Sequence, residues 1–269
     1  FPWRLFIVTT LSDESLDDLT VGGLKILQAK HGYRFSLDPV LLSGFISPVR
    51  DCRVLDLGTG NGIIPLLLAA RSEALSIDGV EIQPQMAERA GRTIDLNKLG
   101  TSVRIVQGDI RDLPFGGLEA AAFDVVTANP PYRKPGAGRL APDNERSLAR
   151  HELAGGLDAF LRATELMLKR GGSFYVVYLA ERLAELLAGM VSLKIEPKRL
   201  RFVHPRAGQA ARLVLLESLK NGRPGIKVEP PLVVYKGAGR DYTDEVLAIY
   251  GLEERPGERS GWPEPARRV

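Results

Sequence analysis

Between positions 53 and 179 short apolar runs rich in β-branched residues alternate with longer segments of helical apolar spacing. That alternation predicts a parallel sheet with crossover helices. Strands are expected at 53–57 (RVLDL), 75–82 (LSIDGVEI), 102–109 (SVRIVQGD), 123–132 (FDVVTANPPY, a strand with its exit) and 173–180 (SFYVVYLA). Helices are expected over 63–71, 84–100, 157–172 and 181–190. Pro84 near the start of one and Gly100 just past its end fit a helix's usual boundaries. The runs 199–205 (RLRFVHP) and 211–220 (ARLVLLESLK) are only about six residues apart. A parallel crossover needs a dozen or more, so these two form an antiparallel pair, expected at the sheet edge. Upstream, 19–30 reads as a small hairpin around Gly22-Gly23. The segment 38–46 reads as a helix capped by Asp38 with Pro39 at its first position.

The chain therefore divides into an N-terminal extension (1–48), an α/β domain (49–250) and a tail (251–269) rich in Pro, Gly and charge that is expected to be disordered. Of the 269 residues, 44 % are hydrophobic and 26 % charged, the balance of a soluble globular protein. No apolar run approaches the roughly 18 residues of a membrane span. The first fifteen residues lack the basic lead and small-residue cleavage site of a secretory signal. The chain opens on Phe1, so it is expected to begin inside a longer one. A single cysteine, Cys52, excludes an internal disulfide, and with three scattered histidines no metal centre is expected. The expected setting is the reducing cytoplasm.

The loop after the first strand, VLDLGTGNG, places Asp56 ahead of Gly58, Gly60 and Gly62. Glycines there let the backbone turn tightly and approach a ligand. Position 63 is Ile, so the spacing departs from the dinucleotide G-x-G-x-x-G, and no Gly-Lys-Ser/Thr is present for a P-loop. A glycine loop headed by an acid suits a ligand carrying an ammonium group, as S-adenosylmethionine does. Two more acids end the next two strands: Glu81, placed to accept from ribose hydroxyls, and Asp109, placed to accept from an adenine amine. The carboxyl ends of such strands form the expected ligand crevice.

The exit of the fourth strand, TANPPY, carries the chemistry. Pro130 and Pro131 remove two backbone donors, and Asn129 is pushed into an extended shape. A conjugated exocyclic amine is a poor nucleophile, because its lone pair is delocalised. Two acceptors aimed at its N–H groups, the Asn129 side-chain oxygen and the Pro130 carbonyl, favour the tetrahedral nitrogen that methyl transfer requires. Tyr132 offers a ring for stacking on a planar base or amide, worth roughly 1–3 kcal/mol for a base.

These motifs resemble those of the class I S-adenosylmethionine-dependent methyltransferases with the Asn-Pro-Pro-Tyr signature of amino-group methylation. HGYRFSLDPVLLSGF before the glycine loop, ARHE at 149–152 and RLRFVHP…ARLVLLES…VEPPLVVY near the end are similar to the tRNA1(Val) (adenine-N6)-methyltransferase family. The resemblance covers about 19–250. It implies a Rossmann-like fold with a seven-stranded, mostly parallel sheet, an antiparallel edge strand and a small N-terminal hairpin and helix. It implies S-adenosyl-L-methionine as cofactor. Phe35, Ser36 and Asp38 would lie near its methionine end, and Asp109 and Ile110 would flank the adenine; Ile82, next to Glu81, is a further expected cofactor contact. The activity implied is methylation of the N6 amine of an adenine in RNA, at a tRNA anticodon-loop nucleotide.

Three other readings stay open: a release-factor glutamine amide, another nucleic acid or small-molecule amine, and a binding module without catalysis. Charge leans toward RNA. Net charge is only +3, yet Lys194 to Arg240 holds eleven Lys and Arg against three acids. Phosphate contacts dominate nucleic-acid affinity. Arg133 and Lys134, directly after Tyr132, and Arg199, Arg201 and Arg206 are the expected RNA contacts. His204 is expected to be structural, His151 with Glu152 to orient a helix behind the catalytic loop, and Cys52 to be a buried small side chain.

Overall fold

A computed structural model of the chain describes residues 10–19, 21, 23–31, 34–47, 51–72, 75–132 and 156–251. Gly22, Arg133, Lys134, His151, Glu152 and the tail from 252 lie outside the described residues. A first hairpin pairs β1 (Glu14–Asp18) with β2 (Lys25–Ala29) in a separate two-stranded sheet. Helix α1 (Leu37–Phe45) follows. Then come β3 (Cys52–Leu57), α2 (Ile63–Arg71), β4 (Leu75–Glu81), α3 (Pro84–Leu96), β5 (Val103–Gln107) and β6 (Phe123–Ala128). The second half has α4 (Gly156–Met167), β7 (Leu168–Leu179), α5 (Leu183–Ser192), β8 (Ile195–His204) and β9 (Leu213–Lys220). Two-residue strands β10 (Lys227–Val228) and β11 (Leu232–Val233) and helix α6 (Asp244–Ile249) close the described chain.

The main sheet runs β5-β4-β3-β6-β7-β9-β8, with β10 and β11 both along the outer side of β8. Every pairing is parallel except those of β9 with β7 and β8. β3, β4 and β6 are buried along most of their length because both faces of the sheet are covered. Neighbouring residues face opposite ways. Val54, Ile77 and Val125 join the core under α1 and α2. Leu55, Val80 and Val126 join the core under α4 and α5.

Two expectations need correcting. The antiparallel strand is not at the edge: β9 lies between β7 and β8. Its central residues, Val214 to Leu216, are all buried, whereas β8 alternates buried with half-exposed positions and carries Pro197 at a register shift. The more apolar strand takes the inner slot, and the strand with the proline and the charges takes the outer one. The glycines at 171 and 172 do not end a helix either. Helix α4 stops at Met167, and Gly171 (φ 76°) sits in an irregularity of β7 between the pairs Phe123–Leu168 and Val125–Ser173.

Candidate active site

The carboxyl ends of β3, β4, β5 and β6 meet at one edge of the sheet. After Leu57 the chain turns through Gly58, Gly60 and Gly62, all with positive φ (66°, 59° and 80°), before α2 begins. The turn is fastened to β4 from below. The Thr59 amide donates to the Val80 carbonyl (2.9 Å), and the Gly60 amide donates to Glu81 Oε2 (2.9 Å). Gly79 makes this approach possible, since a Cβ there would lie 2.9 Å from Thr59 Oγ1.

The floor of this turn holds acids that no cation among the described residues neutralises. Asp56 is 1 % exposed, and burial raises its pKa to about 7. Its Oδ1 accepts from Thr127 Oγ1 at 2.6 Å, and the nearby Thr59 hydroxyl also opposes the rise, whereas Oδ2 makes no well-formed hydrogen bond among the described residues. Asn61 is 3 % exposed, and neither end of its amide has a partner among them. Glu81 is also buried. Burial raises its pKa, although the Gly60 and Gln83 amides donate to it and oppose the rise. A buried polar atom left unpaired costs about 1–3 kcal/mol. With Thr59 Oγ1, four such atoms meet in this one turn, a set that a polar ligand would complete.

Asp109 is arranged differently. It caps the short turn Ile110–Asp112 by accepting from the Arg111 amide (2.9 Å), and the Arg111 guanidinium, paired with it, holds its carboxyl below the usual range. Ile110 is buried and contributes to a groove of about 350 Å³ with Leu113, Ala159 and Ala163. Ile82 is half-buried, and its carbonyl accepts from Gln107 Nε2 (3.3 Å).

Directly after β6, Asn129 is half-buried, Pro130 buried, and Pro131 and Tyr132 half-buried. The Tyr132 hydroxyl reaches Asp38 Oδ2 at 2.7 Å and Asn129 Oδ1 at 3.0 Å. Its one proton serves one of them at a time. Asp38 is placed by the start of α1, where Ser36 is the N-cap and its Oγ lies 3.4 Å from the Asp38 amide. Phe35 is held by its amide, which donates to Gln28 Oε1 of the hairpin (3.1 Å). The fold thus joins segment 35–38 to the Asn-Pro-Pro-Tyr exit across more than 90 positions of sequence.

Two residues at this exit escaped the sequence reading. Arg182 Nη1 donates to the Tyr132 carbonyl (3.0 Å), while its Nε and Nη2 grip Glu185 (3.0 and 2.6 Å). Its guanidinium lies over the Tyr178 ring, 4.9 Å from the centroid. The Tyr132 and Tyr178 rings meet edge to face at 6.0 Å. Tyr178 is fully buried, its hydroxyl has no partner among the described residues, and burial pushes its pKa up to about 12. The signal for both was their position at the end of β7, the neighbour of β6.

The expected RNA contacts fare unevenly. Arg199 is turned inward. Its Nε pairs with Glu217 (2.6 Å), Nη1 with Glu229 (3.5 Å), Nη2 donates to the Phe45 carbonyl (2.6 Å), and the guanidinium covers the Phe45 ring. Arg201 is neutralised by Glu245 (2.6 Å) and donates to the Pro230 carbonyl. Mid-strand positions on β8 place both against the C-terminal segment, where carboxylates already pair with them. Arg206 donates only to backbone carbonyls and keeps an uncompensated charge. His204 Nδ1 lies 2.6 Å from the Gln209 carbonyl, a structural contact. Cys52 is half-buried at the start of β3 rather than fully buried.

A family profile described as a methyltransferase domain matches residues 48–205, the whole stretch from the glycine loop through β8. The chain belongs to the S-adenosylmethionine-dependent methyltransferases. Among its relatives is a protein of Aeromonas salmonicida (strain A449) named tRNA1(Val) (adenine(37)-N6)-methyltransferase. It is 31 % identical over 215 residues, 79 % of this chain and 86 % of that one. A protein of the same name from Yersinia pestis (strain Pestoides F) is 34 % identical over 141 residues, 52 % of this chain and 55 % of that one. Among solved structures, a predicted O-methyltransferase from Agrobacterium tumefaciens superposes with a TM-score of 0.64 at 22 % identity, covering 83 % of this chain and all of that one. M. jannaschii TYW2 in complex with AdoMet gives 0.53 at 16 % identity, covering 78 % and 87 %. These two likenesses establish the class I fold.

The cofactor of this methyltransferase is S-adenosyl-L-methionine. The residues of the turn fit it, for the unpartnered Asp56 Oδ2 and Asn61 amide are the acceptors and donors a zwitterionic, hydroxyl-rich ligand would use.

Proposed function

We propose that this methyltransferase acts on the exocyclic N6 amine of an adenine in tRNA, at an anticodon-loop adenosine, in the cytoplasm. One observation carries the acceptor chemistry: Asn129 Oδ1 sits at the end of β6 beside the glycine turn, within reach of a hydroxyl that can release it. The names of the Aeromonas and Yersinia relatives support adenine in tRNA as the substrate. No helix among the described residues is long and apolar enough to cross a membrane.

In this reading Phe35, Ser36, Asp38, Asp56, Gly58, Gly60, Gly62, Glu81, Ile82, Asp109, Ile110 and Asn129 line the cofactor site. The cofactor supplies an electrophilic methyl group on sulfonium. The chain supplies position and polarity. Asn129 Oδ1 and the Pro130 carbonyl accept the two N–H groups of the amine, which turns its lone pair out of the ring plane. The prolines keep this exit free of backbone donors that would compete. Tyr132 hands Asn129 Oδ1 to the substrate while keeping its shorter bond to Asp38, and its ring packs on the incoming base. The amine becomes acidic once it carries the methyl group, so no strong base is needed beforehand. Holding nitrogen and methyl in line supplies much of the remaining acceleration. The target base must leave its stack to reach this edge, which favours a loop nucleotide.

The test is transfer from labelled S-adenosylmethionine to unmodified tRNA, read by nucleoside mass spectrometry. N6-methyladenosine is the expected product. Its absence, together with N5-methylglutamine in a release factor, would overturn the adenine reading.

A further inference from the structure

The basic stretch from Lys194 to Arg240 is two surfaces. β8 runs parallel to the catalytic strands and β9 runs against them. The turn joining them, 205–212, therefore lies at the same edge of the sheet as Asn129. Lys194, Lys198, Lys220 and Arg223 lie at the opposite edge, about 30 Å away along a ten-residue strand. That far group is partly tied down. Lys198 Nζ donates to the carbonyls of Arg223 and Gly225, and Lys220 pairs with Glu165.

At the near edge three arginines stand out. Arg212 is exposed, and its carbonyl accepts from the Ala180 amide at 3.0 Å. Two residues on, Arg182 holds the Tyr132 carbonyl. Arg212 thus borders the support of the catalytic exit. Arg206 reaches across to the loop that follows β11, donating to the carbonyls of Gly237 (3.0 Å), Ala238 (3.2 Å) and Gly239 (2.8 Å) and lying over the Tyr235 ring. That pins Arg240, also exposed, beside the 205–212 turn. Neither Arg212 nor Arg240 makes an ion pair with a described residue, and the 205–212 turn contains no acid. Lys236 of the same loop is different, being neutralised by Asp244 (2.5 Å).

We infer that Arg206, Arg212 and Arg240 form a rim that tracks the phosphates of the RNA strand whose base enters the Asn129 site, while the opposite basic edge takes no part. The inference rests on the RNA reading above. Guanidinium forks without carboxylate partners match phosphate oxygens, and such contacts are released by salt. Arg206 also shapes the loop, so the test uses the other two.

The double variant Arg212→Gln/Arg240→Gln is compared with Lys194→Gln/Arg223→Gln, which removes the same charge from the far edge. Binding of an unmodified tRNA transcript is followed by fluorescence anisotropy over a salt series, and S-adenosylhomocysteine binding by calorimetry. The rim variant is expected to bind the transcript at least about tenfold more weakly, with a salt slope shallower by roughly one to two. Its melting temperature and S-adenosylhomocysteine affinity should stay as in the wild type, and the far-edge variant should bind the transcript like the wild type. Equal losses in both variants, or wild-type binding by the rim variant, would overturn the rim while leaving the adenine reading intact. A wild-type protein that binds no RNA would overturn both.

Discussion

Two places in this molecule bury a carboxylate, and they do so in opposite ways. At the junction of the hairpin with α3 the Glu14 side chain has no solvent exposure, and Arg89 (2.8 Å) and Arg92 (2.5 Å) both grip it. The side-chain bond from Arg92 leads the effects that lower its pKa to about 2. Beneath the glycine turn, Asp56 and Glu81 are also buried but pair with no cation among the described residues, and burial raises both. The first arrangement is finished within the chain and fastens an N-terminal element to a helix. In the second, backbone amides meet Glu81 and a threonine hydroxyl meets one oxygen of Asp56, and the proposed cofactor would complete the rest. On the proposed cofactor reading, compensation would separate a structural acid from a binding one where burial alone does not.

That contrast is most directly broken at Glu14. Glu14→Ala leaves the largely buried Arg89 guanidinium without this anion and Arg92 with Glu88 in place of two carboxylates. The expected loss is about 2–4 kcal/mol of unfolding free energy, at the low side because both arginines keep some water contact. Cofactor affinity should change little by comparison. Chemical denaturation and calorimetry on the same variant check both halves, and a dominant loss of cofactor binding would erase the distinction. Asp56→Asn should behave inversely. Removing an uncompensated buried charge leaves stability unchanged or raised, while S-adenosylhomocysteine binding weakens by roughly ten- to a hundredfold.

How far this was visible in the sequence depends on distance along the chain. The glycine loop, the acids at strand ends and Asn-Pro-Pro-Tyr are local patterns, and the parallel sheet follows from periodicity. Asp56 and Glu81 were legible as strand-end acids, yet nothing local says that Glu14 would meet Arg92, 78 positions on. The Asp38–Tyr132 bond is equally remote. The inward pairing of Arg199 is hidden from the sequence for the same reason. Its partners, Phe45 and Glu229, come from segments before and after it that only the folded sheet brings together. The local charge balance of the basic stretch was right, but strand direction divides it, and direction depends on where β9 inserts.

Arg182 sharpens the contrast, because it is compensated by Glu185 and still touches the catalytic exit. If it acts by positioning Tyr132, Arg182→Lys keeps the cation but loses the fork that holds Glu185 and the Tyr132 carbonyl together. We expect kcat to fall roughly tenfold with cofactor affinity unchanged. A lowered melting temperature with kcat intact would make it a structural residue like Glu14.

The smallest effect is the dependence on pH, where the two kinds of acid should pull in opposite directions. Glu14 has a folded pKa near 2, below that of the unfolded chain, so its contribution is fully present above about pH 4.5 and lost as pH falls toward 2. Asp56 has a folded pKa near 7, well above the ordinary carboxyl value near 3.9. Between those two values the unfolded chain has released the proton and the fold still holds it. Stability from this group therefore declines as pH rises from about 4 to 7 and is level beyond. If the ligand is bound by the ionised form, affinity moves the other way, rising severalfold between pH 6 and 8 and by no more than tenfold per unit. S-adenosylhomocysteine titrations across that range, on wild type and Asp56→Asn, isolate the share belonging to Asp56. A slope that survives the substitution would assign the titration to another group and leave Asp56 a buried acid that the ligand does not read.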